Sequence, residues 1–192
     1  MGYKNSWELI HYLEEFEFLD FKSEEELLNL FEGNKNTKNE LLISEIIDCL
    51  SINEVFHENV KLFVFDSLKN KTHYLVKLSC LGYLFNNSNS FGKDEIINLL
   101  NSCLSKRNLL LVKNQIILNL IYLDTNNFSY YFEQLLSSLR KTIDYRSHIR
   151  LYNLLTTCKN ENVTKDKLMQ MVEITKQFNF GKSVQSIINL LN

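Results

Sequence analysis

Four apolar segments of this chain begin alike and recur at a nearly constant interval. Val76-Lys77, Val112-Lys113, Ile149-Arg150 and Val184-Gln185 each open a stretch with apolar residues at three- and four-residue spacing. The intervals are 36, 37 and 35 residues. Between them lie further stretches of helical period, over 93–105, 127–142 and 164–178. A unit of this length with two helices cannot bury its apolar face alone, so it must stack on its neighbours.

The rest of the chain keeps the helical period. The spacing predicts helices over 6–19, 23–32, 38–51, 53–69, 72–86, 93–105, 107–123, 127–142, 145–158, 164–178 and 181–191. Ser23 with Glu26 and Thr37 with Glu40 have the spacing of capping boxes. Proline is absent and glycine occurs five times, where a β-rich chain would need both in its turns. The expectation is an all-α fold. More narrowly, it is a short α-solenoid of stacked antiparallel helix pairs in one domain over 1–192, with an acidic helical cap over 1–54 and helix-pair repeats over 55–192.

A β-branched residue followed by Lys or Arg at the head of a second helix resembles the HEAT-repeat pattern, over roughly residues 55–192. The resemblance implies a protein-binding scaffold whose second helices line a concave surface.

Cys49, Cys80, Cys103 and Cys158 each sit inside an apolar helical pattern, without a CxxC pair. They read as buried free thiols, which fits a reducing compartment. No basic-then-apolar leader opens the sequence. The longest apolar stretch, Ile116 to Leu123, is far short of the ~20 residues that span a bilayer. The expected location is the cytoplasm, away from any membrane.

Charge is uneven. Residues 1–32 hold nine acids and two lysines, whereas 33–192 hold fourteen acids and nineteen bases. Glu14, Glu15, Glu17, Glu24 and Glu25 read as a solvated cap or as a surface that steers a basic partner, since interface charge raises on-rate. Adjacent glutamates on a helix point different ways and do not converge on one site.

The bases Lys77, Lys113 and Arg150 form a ladder. It reads either as a cationic row or, more simply, as stems lying along apolar neighbours. On the opposite face of the same helices lies a polar and tyrosine row: Ser79 and Tyr83, then Gln115, Asn119 and Tyr122, then Tyr152 and Thr156. Tyrosine offers a large rigid contact with a hydrogen-bonding tip, so this row is the expected protein-binding surface, with a solvated face as the plain alternative.

His11, His57, His73 and His148 make no metal-ligand spacing, and no nucleophile–base pair or Gly-rich phosphate loop is present. No catalytic residue, metal or cofactor is expected, and the chain reads as a binding protein rather than an enzyme. The favoured function is a cytosolic inhibitor, such as a bacterial immunity protein that neutralises a toxin domain. A nucleic acid-binding HEAT-like protein is the alternative, because residues 106–192 carry twelve bases against six acids and Arg140, Lys141, Arg146 and Arg150 cluster. A structural subunit of a larger assembly is the third reading.

Overall fold

The computed structural model describes residues 6–14, 21–139, 169–170 and 173. Among them the chain is all-α, with eight α-helices, one short 3-10 turn and no strand. In order these are α1 (Ser6–Glu14), α2 (Phe21–Asn34), α3 (Glu40–Ile52), α4 (Glu58–Lys69), α5 (Tyr74–Asn86), α6 (Lys93–Leu104), α7 (Leu110–Leu123), the turn Thr125–Asn127 and α8 (Phe128–Leu139). The expected helices 145–158, 164–178 and 181–191 lie outside the described residues, apart from helical positions at 169, 170 and 173. None of the described helices is long and apolar enough to cross a membrane.

The chain divides into two compact units, residues 1–106 and 107–192. The sequence points instead to one domain with a change of character near residue 54. The observed boundary falls within the stretch of recurring helices, at Lys106-Arg107, where no Gly- or Pro-rich linker marks it.

In the first unit α3 and α5 are the central helices, and their mutual packing is the most extensive. α3 also packs on α1 and α2, and α4 packs on both α5 and α6. Peripheral helices bury one stripe: Val60, Val64 and Leu68 on α4, and Ile96, Leu99, Leu100 and Cys103 on α6, the spacing of a single helical face. Central helices bury more than one side. On α3, Ile46, Ile47 and Leu50 are wholly inaccessible, and Ser44, Cys49 and Ser51 are buried as well.

Helix ends explain the connectors. Asn39, rather than Thr37, caps α3: its side chain accepts from the Leu42 amide at 3.2 Å, while Thr37 Oγ1 accepts from the Asn39 amide. Helix α2 starts at Phe21, so Ser23 lies within the helix instead of capping it. His57 and His73 cap α4 and α5, each accepting a main-chain N–H on Nδ1. At the end of α3 the amides of Glu54 and Val55 donate to the carbonyls of Ser51 and Leu50. This is a Schellman closure, with Glu54 at φ 53° in the left-handed position.

In the second unit α8 packs on α7 and buries Phe128, Tyr131, Phe132, Leu135 and Leu136. Asp124 closes the turn between them, accepting from Asn127 Nδ2 at 2.9 Å and from the Tyr131 hydroxyl at 3.1 Å.

Candidate functional site

The expected binding row starts on α5, where the structure turns it inward. Ser79 and Tyr83 are buried. Ser79 Oγ donates to Asp48 Oδ2 of α3 at 2.9 Å. The Tyr83 hydroxyl donates to the Val55 carbonyl at 2.9 Å and accepts from the His57 amide at 3.3 Å. One turn further on, Asn86 Nδ2 donates to the carbonyl and hydroxyl oxygens of Ser51 at 3.2 and 3.0 Å. Between them Gly82 faces Ser51, and a Cβ there would stand 3.8 Å from Ser51 Oγ, an ordinary contact. The α5 part of the row is therefore a polar seam between α5, α3 and the connector that follows α3. It corrects the expectation of an outward surface at Ser79 and Tyr83.

The helical period placed these residues on one face correctly. It could not reveal that α5 has neighbours on more than one side. Burial pushes the Tyr83 phenol up to about 12, against the opposing pull of the His57 amide. Burial likewise pushes the Cys49 thiol up to about 12, helped by Glu45 and Asp48. These groups stay protonated and serve packing and hydrogen bonding.

On α7 the row is also largely interior. Asn119 is inaccessible, Gln115 is buried, and Gln115 Nε2 donates to Asn119 Oδ1 at 2.9 Å. Asn114, absent from the expected row, is buried too and accepts from Ser138 Oγ of α8 at 2.6 Å. Tyr122, at 39% exposure, is the member of the row on described residues that reaches the surface. Tyr152 and Thr156 lie outside the described residues.

In the basic ladder Lys77 is buried. Its ammonium is held below the usual lysine range, first by burial and also by Lys106, with Cys103 and Cys80 pulling the other way. Lys113 is half-buried and Arg150 is outside the described residues. Of the acidic residues, Glu25 is exposed and Glu24 half-exposed on the first turns of α2. Glu14 ends α1, and Glu15 and Glu17 lie outside the described residues. Among the described residues no three of His, Cys, Asp and Glu gather closely enough to hold a metal ion.

The large apolar side chains that remain at the surface are spread over both units. Trp7, Ile52, Leu62, Leu109 and Tyr130 are each 60% exposed or more. Compared with family models, curated proteins and solved structures, the chain finds no match in any of the three.

Proposed function

We propose that this chain is a short α-solenoid of the HEAT-like kind that serves as a protein-binding scaffold. Specifically, it is a cytoplasmic inhibitor of the immunity type, which occupies and masks a toxin domain. The observation that carries the scaffold reading is a group of cross-helix hydrogen bonds separated by 35–37 residues, beside others at shorter separations such as Ser79–Asp48 at 31. Cys49 Sγ donates to the Leu13 carbonyl 36 residues back, and Cys103 Sγ to the Leu68 carbonyl 35 back. Asn86 reaches Ser51 35 residues back, and Lys106 Nζ donates to the Lys69 carbonyl 37 back, at 2.7 Å. Each acceptor lies in the last turn of a helix, though the Ser51 carbonyl also takes the Glu54 amide. Each donor comes from the helix two elements on or its immediate C-terminal flank, a separation that supports a 35–37-residue repeat. Stacking of that kind makes a one-dimensional array with a long continuous face, the architecture that suits holding another macromolecule.

The inhibitor reading draws on the acidic stretch before Gly33, which would attract a basic domain, and on exposed aromatics such as Trp7 and Tyr130, a residue type enriched at interfaces. The free, buried thiols of Cys49, Cys80 and Cys103 suit the cytoplasm. The test is to express the chain beside the toxin-like product of a neighbouring gene. Rescue of growth with a stable one-to-one complex is the expected result. A folded chain that neither rescues nor co-purifies with that product sinks the inhibitor reading.

A further inference from the structure

One end of the 1–106 unit is rich in lysines, with the exposed Asp66 as the acid beside them in sequence. Between Asp66 and Asp94 the sequence holds Lys69, Lys71, Lys77 and Lys93 and no Asp or Glu, and between Glu95 and Asp124 it again holds none. The fold brings parts of these stretches together. α4 ends at Lys69, the connector 70–73 leads into α5, and α6 ends at Leu104 just before Lys106. Lys106 Nζ sits 2.7 Å from the Lys69 carbonyl, and Cys103 Sγ sits 3.5 Å from the Leu68 carbonyl, so the C-terminal ends of α4 and α6 are adjacent. Lys69, Lys71 and Lys106 are exposed. The nearest acid in sequence, Asp66, accepts from Asn70 Nδ2 at 2.7 Å.

Lysines at helix C-termini complement the helix dipole, and Lys69 and Lys106 do this. Lys71 does not, since it lies in the connector between α4 and α5. Two exposed rings stand in the same place. His73 and Tyr74 have ring centroids 4.6 Å apart, and Tyr74 is 37% exposed at the start of α5. The His73 imidazole is held by its cap bond to the Leu75 amide. The positive dipole end of α5, a helix of 13 residues, lies there as well, while Lys69 and Lys106 offset the negative ends of α4 and α6.

We propose that this end of the unit binds single-stranded nucleic acid, with Lys69, Lys71 and Lys106 meeting phosphates and the His73–Tyr74 ring pair providing a stacking platform for a base. An acidic protein could also use both lysines and rings, and the competition arm of the test below separates the two. A single strand uses both, because every base has a face to stack and a phosphate beside it. This surface is independent of the scaffold reading, and either can fail alone.

The experiment is a fluorescence-anisotropy titration of the whole chain with a labelled oligothymidylate about 15 nucleotides long, at salt from roughly 50 to 200 mM. Binding is expected at the low end and should weaken steeply with salt. The combined Lys69→Gln, Lys71→Gln and Lys106→Gln variant should bind at least tenfold more weakly. Its salt slope should be shallower by about two, at about 0.7 per phosphate contact on a single strand. Tyr74→Ala should weaken binding about tenfold, through lost stacking, and leave the slope unchanged. Lys71→Glu alone, in the exposed connector, should weaken binding severalfold and guards against misfolding of the triple variant. Three results each overturn the proposal: no binding by folded protein at low salt, binding unchanged in the Lys71→Glu and Tyr74→Ala variants, or equal competition by polyglutamate, which would assign the patch to an acidic protein.

Discussion

Tyr83 ties two pieces of the first unit together with one hydroxyl. It donates to the Val55 carbonyl and accepts from the His57 amide, so it fixes the α3–α4 connector against α5. Tyr83→Phe keeps the ring and strands a buried acceptor. It should cost about 1–3 kcal/mol, read as a lower urea midpoint at unchanged slope. Unchanged stability would show that the two bonds add nothing. The same group makes stability depend on alkaline pH. The Tyr83 phenol ionises near 10.0 in an open chain and at about 12 in the fold. The Cys49 thiol goes from 9.0 to about 12. In both cases the folded state favours the neutral form, so the unfolded chain loses its proton first. The contribution of these groups is complete below about pH 9, falls first through Cys49 and the buried Cys80 thiol, which burial also raises, then falls faster above pH 10 as Tyr83 joins; for Tyr83 the loss is about 2 kcal/mol by pH 12. Urea midpoints across this range should follow that course. In Tyr83→Phe the added fall above pH 10 should vanish while the part that begins at pH 9 remains. Ser79 and Tyr83 were legible in the sequence as one face of one helix. That the face meets α3 depends on Asp48, Ser51 and Val55, residues 28 to 35 positions away, and no local period carries that information.

At the scale of elements, the informative break is the end of α3. Its closure needs a left-handed residue, and the chain places Glu54 there at φ 53°, where a side chain costs about 1–2 kcal/mol. The connector keeps this geometry because Leu50 and Val55 are both buried, giving the hydrophobic contact that accompanies such caps. Glu54→Gly should relieve the strain and give part of it back as unfolded-chain entropy. The net expectation is a gain of about 0.5–1 kcal/mol, visible as a higher Tm in a thermal melt. A lower Tm would mean that the Glu54 side chain contributes more than its backbone costs.

Helix existence was legible along most of this stretch because apolar spacing survives burial on one side or two. Helix starts were less so. The expected caps at Ser23 and Thr37 have the right spacing, yet Phe21 already begins α2 and Asn39 takes over the cap of α3. At α4 and α5 the caps are His57 and His73, a residue outside the usual preference for Ser, Thr, Asp and Asn, so composition gave no cue.

For the whole molecule, the recurring 35–37-residue interval and the two-unit division make different demands. A uniform array would have no preferred place to divide, yet the compact units meet at Lys106-Arg107. The first unit holds an extensive buried interior. Phe31, Ile46, Ile47, Leu50, Val60, Val64, Leu68, Leu81, Tyr83, Leu84, Ile96 and Leu100 are each 1% exposed or less, and they come from five different helices. In the stacked array proposed above, stability would add up from each unit and its nearest neighbours, and about three helix pairs would suffice to stand alone. A chain ending at Lys106 should therefore fold by itself. It should keep a helical circular-dichroism spectrum and melt in one cooperative step, with a urea slope reduced in proportion to its smaller buried surface. Within it Tyr83→Phe should cost what it costs in the full chain, because all of the partners named for that hydroxyl lie before residue 106. A gradual, non-cooperative melt would show instead that the helices after Lys106 are needed to complete the interior of the first unit, and the chain would then fold as one body despite its two centres of packing.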